Sequence, residues 1–484
     1  MLPALFRRPR LLLLAALLWS VFGTDLCTAA EKVLTAAAYA ADITPLKFPV
    51  SSNGQMQDRM VSRVHDPLHA RCLVLDDGKT RIAIIVSDSC MIPREVIDTA
   101  KTKIENLTGI PVNQILISAT HTHTAVSLAG VFQSEPAPGY AEFYSDRVAE
   151  GVAQAIKQLV PARIGWGVGK NPTQVFNRRW KLKPGAVGND PFGRGTDRAR
   201  MNPGYGNPDV TEPAGPIDPD VSIVAVQTTA GQPIAVLANY SLHYVGSGVP
   251  GDSLSADYFA AFADRMTQLL HATDVKPAFV GIMSNGTSGD INNVNYSLPK
   301  SPMPAAEGQY KVVADSVART AFDVYEKLEF HNWVPLAVRE QELELKVRKP
   351  TAEELTKAEE LIAAAPGGKL TTAPQIYARE SVLIHKFPDT VKLRLQAIRI
   401  GELGIAAIPC EVFAEIGLAI KQHRTPAPTF TIELANGYNG YLPTPEQHAL
   451  GGYETWRARS SYLEVDASVK IQAVLNELLK DAAK

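Results

Sequence analysis

Cysteine is scarce. Cys27, Cys72, Cys90 and Cys410 are the only four in 484 residues, and no Cys-x-x-Cys spacing occurs, so a structural zinc knuckle is unsupported. Cys27 falls in a leader-like segment, which leaves an odd number, each within an apolar run. Buried free thiols are therefore expected rather than a disulfide framework. An excess of charge of one sign is also missing: 48 basic against 50 acidic residues give a formal charge of -2. Such a balance provides no electrostatic footprint for nucleic acid or for an anionic membrane surface. No long basic amphipathic helix announces membrane binding, so any contact with a bilayer surface would be local and transient. No Gly-x-Ser-x-Gly elbow occurs either, which leaves a serine-nucleophile mechanism without its usual turn.

What is present begins with a leader. Arg7, Arg8 and Arg10 precede an apolar run from Leu11 to Gly23, and small residues follow to Ala29-Ala30. This is the pattern of a secretory signal peptide over residues 1–30. The run is shorter than the roughly 20 residues that span a bilayer, which argues against a membrane anchor. The mature chain is expected to start near Glu31, to be exported (periplasmic or secreted), and to form one large domain over 31–484. Apolar runs of strand length recur at Ile82 to Val86, Ile115 to Ile117, Val221 to Val226, Ile234 to Leu237, Ala278 to Met283 and Ile405 to Ile408. Several are continuous, as for strands covered on both faces. Helical patterns lie between them at Arg94 to Leu107, Ala141 to Leu159, Tyr258 to Leu270, Tyr310 to Leu328 and Ala352 to Ala365, the last with Thr351 and Glu354 as a capping box. The mixture predicts an α/β (mixed α+β) fold. Lys183 to Pro219 is rich in Gly, Pro, Asn and Asp and reads as a long loop; Pro299 to Ala306 and Thr371 to Pro374 read as connections.

Chemistry-bearing residues follow the strand-like runs. Ser118-Ala119-Thr120-His121-Thr122-His123-Thr124 places two histidines two apart behind Ile115 to Ile117. In extended backbone residues i and i+2 point the same way, so the two imidazoles can converge; a pair of hydrogen-bonded histidines with no ligand is the alternative. His243 follows Ile234 to Ser241, and Ser284 to Asn292 follows the next run. Glu411 follows Gly404 to Pro409, and Asn436 to Glu446 leads on to Tyr453-Glu454.

In this order the set resembles the neutral (neutral/alkaline, non-lysosomal) ceramidase family. Its Ala-Thr-His-Thr-His-Ser block is similar to Ala119 to Thr124, its strand and ligand histidine to Leu237 to His243, and its downstream Ser-Gly-Asp to Ser255-Ala256-Asp257. Its Pro-Gly-Glu turn is similar to Pro409-Cys410-Glu411. The family's tyrosine block resembles Tyr438 to Glu446, with a second functional tyrosine twelve residues after Tyr441, at Tyr453. The resemblance extends to His65 to Arg71 and to Asn177-Arg178, and implies central sheets flanked by helices in one catalytic domain. It implies one Zn²⁺ per chain held by His121, His243, Glu411 and Tyr441, with His123 as proton shuttle and Arg178 and Tyr453 facing the substrate carbonyl. Asp257, Asp290 and Asn292 are candidates for supporting positions, Asp257 equally as a helix cap. The implied substrate is an N-acyl amide, ceramide in the family, and no protein partner is implied. The sequence departs from the family where Asn292 replaces a serine and where Ala125-Val126-Ser127 replaces Gly-Pro-Gly. The chain ends soon after a last helical pattern, Val469 to Leu479, so the immunoglobulin-like domain of many members is not expected. A catalytically silent exported metal- or lipid-binding protein of the same fold is the alternative function; a two-metal phosphoesterase would want more carboxylates.

Overall fold

Eight strands build a mixed sheet: β1 (Thr35–Asp42), β2 (His69–Asp76), β3 (Arg81–Ser87), β4 (Ile115–Ala119), β5 (Val160–Lys170), β6 (Asp220–Thr228), β7 (Pro233–Tyr240) and β8 (Val280–Asn285). Their order is β8-β7-β6-β5-β1-β2-β3-β4. Both edge pairs, β3 with β4 and β7 with β8, are parallel, and the inner pairs are antiparallel. A second sheet contains β9 (Leu336–Lys346), β10 (Thr390–Ile400), β11 (Leu403–Ala407) and β12 (Thr429–Ile432) in that order. This architecture comes from a computed structural model that describes residues 32–186, 188, 190–302, 308–423 and 426–484. The expected leader lies outside the described residues, and so does part of the connection expected at Pro299 to Ala306.

The continuous apolar runs are explained by layers. In β3, Ile82, Ile84 and Val86 share a cluster with Ile405, Phe430 and Ile432 of the second sheet. Ala83 and Ile85 face the other way and pack with Ile97 and Ile104 of α1 (Arg94–Thr108) and with Val148 and Val152 of α2 (Tyr140–Lys157). Each such isoleucine or valine contributes roughly 1.5–3 kcal/mol by leaving water. Farther along the same face, Ile223, Val236 and Ala238 meet Phe259 and Phe262 of α3 (Asp257–Leu269) and Val313 and Val317 of α4 (Gln309–Tyr325). The outer face of the second sheet is covered through Leu393 and Leu395 by Ile416 and Ile420 of one helix and by Ile471 and Leu475 of another. Two sheets are thus stacked between two helical layers, a mixed α/β fold, and Val33–Lys484 form one compact unit.

Two connections differ from the sequence reading. Thr372 caps a helix over Ala373–His385: its hydroxyl accepts from Gln375 N while the Gln375 side chain accepts from Thr372 N. Pro374 hid the helix, yet in the first turn proline sacrifices no intrahelical bond. Within Lys183 to Pro219, Ala199–Met201 and Val210–Pro213 are short strands flanking Arg179–Leu182.

One core residue works against stability. Lys101 in α1 is 1% exposed at its side chain, with Glu340 Oε2 3.9 Å from Nζ and no hydrogen bond to that nitrogen. Burial drives its pKa down to about 7, Glu340 opposing and Arg394 adding to the shift. Between about pH 7 and 10.5 the unfolded chain therefore binds a proton that the folded chain sheds, and stability rises with pH across that window. Below it the charge is buried at full cost. Lys101→Met is expected to stabilise by about 2 kcal/mol at pH 6 and by progressively less towards pH 10; urea unfolding at the two pH values measures the difference.

Candidate metal and active centre

Ligand sites in open α/β sheets lie beyond the carboxyl ends of strands, and here β4, β7, β8 and β11 deliver their following residues to one place. The two sheets are joined there: Ala119 N donates to Leu434 O, Asn436 N to Ile117 O and Glu433 N to Asn285 O. Beyond β4, Thr120 N donates to Ser87 O and His121 N to Ser89 O. His121 is not extended, as the His-x-His pattern had suggested, but left-handed at φ 71°. Such a conformation costs of order 1–3 kcal/mol in a non-glycine residue. It turns the chain so that the rings of His121 and His123 meet edge to face with Nε2 atoms 3.1 Å apart.

His243, three residues beyond β7, brings its Nε2 to 3.1 Å from that of His121. Glu411 follows the β11 turn, and Glu411 Oε2 lies 3.2 Å from His121 Nε2. Tyr441 is the register partner of Glu411 in a two-residue parallel pairing, so strand geometry sets their side chains next to each other. His121, His123, His243, Glu411 and Tyr441 are all buried. Among the described residues, His121, His243 and Glu411 offer ligand atoms within 4.8 Å of one another, and Cys90, His121 and His123 form an overlapping group.

The protons decide whether a cation fits. His121 Nδ1 faces Cys90 O at 2.7 Å and His243 Nδ1 faces Ser288 O at 3.2 Å. Carbonyls only accept, so both Nδ1 atoms carry hydrogen, and in the neutral rings both Nε2 atoms present lone pairs to each other and to Glu411. Even a doubly protonated His121 has one Nε2 hydrogen for two neighbouring acceptors, His243 Nε2 and Glu411 Oε2. Glu411 Oε2 has no hydrogen-bond partner, while Oε1 accepts from Tyr438 OH at 2.9 Å. A buried convergence of lone pairs and carboxylate is what a divalent cation satisfies, and the borderline N/O donor set suits zinc.

Without a cation the site leans on one proton: burial acts downward on His121, but Glu411 and Cys90 hold its pKa well above the usual histidine range. Burial pushes His123 and His243 well below the usual histidine range, and neighbouring His121 and Arg178 push them further. For Glu411 burial acts upward, but His121, Tyr441 and Arg178 hold the carboxyl below its ordinary value. Burial and Glu411 keep the Tyr441 phenol well above its normal pKa against the pull of Arg178.

Arg178 closes one side. Its Nη2 donates to Tyr441 OH at 3.1 Å and to Gly289 O at 2.8 Å, and its Nε to Glu454 Oε1 at 3.1 Å. Tyr453 is half-buried, with its ring 5.8 Å from that of Tyr441. Asp290 aligns this wall: its carbonyl accepts from Arg178 N, and its carboxylate accepts from Asn177 Nδ2 at 2.6 Å and Ala414 N at 2.9 Å. Asp257 is the first residue of α3, and its carboxylate accepts from Val245 N, Gly246 N and Tyr258 N, none of them a histidine ring. Asn292 bonds Asn202 and Val294 N, away from the histidines' own hydrogen-bond network.

Several contributors had no sequence signal. Gly54, at φ +104°, lies against the imidazole of His123, where a Cβ would come within 2.6 Å of Nδ1. Tyr244 stacks on the same ring at 3.7 Å. Glu433 ties two ligand loops together, accepting from Ser288 Oγ at 2.6 Å and Val412 N at 2.6 Å. Glu454 might have been sought, because the doublet Arg178-Arg179 inside an apolar neighbourhood calls for a buried anion.

No family model matches the chain. Solved structures share its fold: neutral ceramidase from Pseudomonas aeruginosa aligns with a TM-score of 0.68 at 17% identity, over 94% of this chain and 75% of that one. A ceramidase complexed with C2 aligns with a TM-score of 0.64 at 16% identity, over the same 94% and 75%. At these identities the likeness establishes a common fold.

Proposed function

We propose that this chain is an exported zinc-dependent hydrolase that cleaves an N-acyl amide bond, as ceramidases do. The observation that carries the reading is the meeting of His121 Nε2, His243 Nε2 and Glu411 Oε2, with Tyr441 adjacent, beside a third imidazole and a guanidinium that a merely structural ion does not require. His121, His243, Glu411 and Tyr441 would hold the zinc, which supplies Lewis acidity for activating water near neutral pH and polarising a carbonyl. His123, kept neutral by burial and by its cationic neighbours, is equipped to accept a proton from the attacking water and return it to the departing amine. Arg178 and Tyr453 donate to the carbonyl oxygen as negative charge grows on it, an effect worth roughly 3–4 kcal/mol for a well-placed donor. Glu454 and Gly289 O hold the Arg178 guanidinium in place. Phe132 and Trp456 flank Tyr453 at 6.5 and 6.0 Å between ring centres, an apolar wall suited to an acyl chain.

Treatment with a chelator is expected to abolish turnover of fluorogenic acyl amides, and zinc to restore it. Turnover that persists in metal-free protein would overturn the zinc assignment; zinc binding with no turnover of any acyl amide would favour a silent binding protein.

A further inference from the structure

Arg59 stands beside the candidate site as a half-buried cation with no carboxylate in its hydrogen-bond set among the described residues. Its Nη2 donates to His123 O at 2.7 Å and to Ser52 Oγ at 2.9 Å. Gln55 Nε2 reaches the same His123 carbonyl at 3.1 Å, yet Arg59 Nε and Gln55 Oε1 are buried without partners. Burial works against the Arg59 charge, and the neighbours that favour it are Tyr244 and Cys90, neither of which is anionic in its ordinary state. Arg178 differs because its Nε meets a carboxylate, Glu454, which it shares with Arg179. A half-buried guanidinium with no anionic partner is costly unless an anion meets it, and guanidinium-carboxylate pairing is the strong charge-assisted case. An amide of an uncharged amino alcohol brings no such group.

The position of Arg59 assigns the anion to one half of the substrate. If His123 returns a proton to the departing nitrogen, that nitrogen must come within hydrogen-bond reach of its ring. Arg59 is bonded to the main-chain carbonyl of His123, whereas Arg178 and Tyr453 are the groups assigned to the substrate's carbonyl oxygen. We propose that the substrate is an N-acyl amino acid, with the carboxylate on the amine half received by Arg59. This rests on the hydrolase reading above. In the reaction the acyl C–N bond breaks and an acyl C–O bond to the water oxygen forms. The water protons pass to the amine and to solvent, and the products are a fatty carboxylate and a free amino acid.

The test uses the zinc-loaded full chain and three substrates sharing one acyl group: N-dodecanoylglycine, its uncharged counterpart N-dodecanoylglycinamide, and a dodecanoyl ceramide. Wild type is expected to favour the acid over the glycinamide by about 10- to 100-fold in kcat/KM, chiefly through KM. In Arg59→Gln the acid-to-amide ratio should fall close to one, and Arg59→Lys should recover part of it. The ratio separates charge recognition from support of the His123 loop, which would lower both substrates together and leave the ratio intact. Equal turnover of acid and glycinamide by wild type, a preference for ceramide, or an unchanged ratio in Arg59→Gln overturns the inference and leaves the hydrolase standing. Should the zinc-loaded protein turn over none of the three, the underlying function falls with it. The wild-type ratio decides the matter even where a variant does not fold.

Discussion

Glu411→Ala is expected to lose stoichiometric metal and to lower amide turnover by on the order of a thousandfold or more. Glu411 is the only carboxylate in the group whose ligand atoms crowd within 4.8 Å. Its removal takes away the anion that would offset half of a dication's charge, leaving two imidazoles and a phenol that burial holds protonated. Metal-free folding should survive, because Oε2 makes no hydrogen bond and His121 and His243 keep their Nδ1 contacts with Cys90 O and Ser288 O. His123→Ala provides the contrast: its Nε2 also faces that of His121, but in the proposed scheme it moves protons instead of binding the ion. It should retain metal while turnover drops by about 10²- to 10⁴-fold. Metal content by mass spectrometry, read beside turnover for both variants, separates the roles. Full zinc in Glu411→Ala, or loss of zinc in His123→Ala, would show that the division between ligand and shuttle is drawn wrongly.

How far the sequence revealed this arrangement depends on the kind of signal each residue leaves. Continuous apolar runs such as Ile82 to Val86 are legible because burial on both faces removes every polar residue, and they became β3 and its neighbours. β9 was not legible: its burial alternates irregularly and its sequence is rich in charge, as in an outer strand of the second sheet. Chemically distinctive residues at strand ends, His121, His123, His243 and Glu411, could be picked out, and the structure brings them together. Their geometry could not, since nothing in the letters His-Thr-His announces φ 71° at His121. Supporting contacts were the least legible. Cys90 and Ser288 act through carbonyls that every residue possesses, and Gly54 acts by having no side chain. Glu433 and Glu454 look like ordinary acids until their burial is seen.

Glu454→Ala is expected to destabilise the fold by about 3–5 kcal/mol, the range for a buried ion pair broken from one side. Glu454 and Arg179 are 0% exposed at their side chains and Arg178 6%, and the carboxylate serves both guanidiniums, at 2.6 Å to Arg179 Nη1 and 3.1 Å to Arg178 Nε. Alanine would strand two cations in the interior with only neutral acceptors: Gln447 Oε1 and Gly451 O for Arg179, Gly289 O and Tyr441 OH for Arg178. The double variant Glu454→Ala with Arg179→Met should regain about 2 kcal/mol over Glu454→Ala alone, because one unpaired charge is removed along with its partner. Urea unfolding of the four species of this cycle measures the coupling. Glu454→Gln keeps the shape and one acceptor oxygen, so its main effect should fall on kcat, through an Arg178 guanidinium less firmly aimed at the carbonyl oxygen. If Glu454→Ala unfolds like wild type, the two arginines find other partners, and Glu454 is not what positions Arg178.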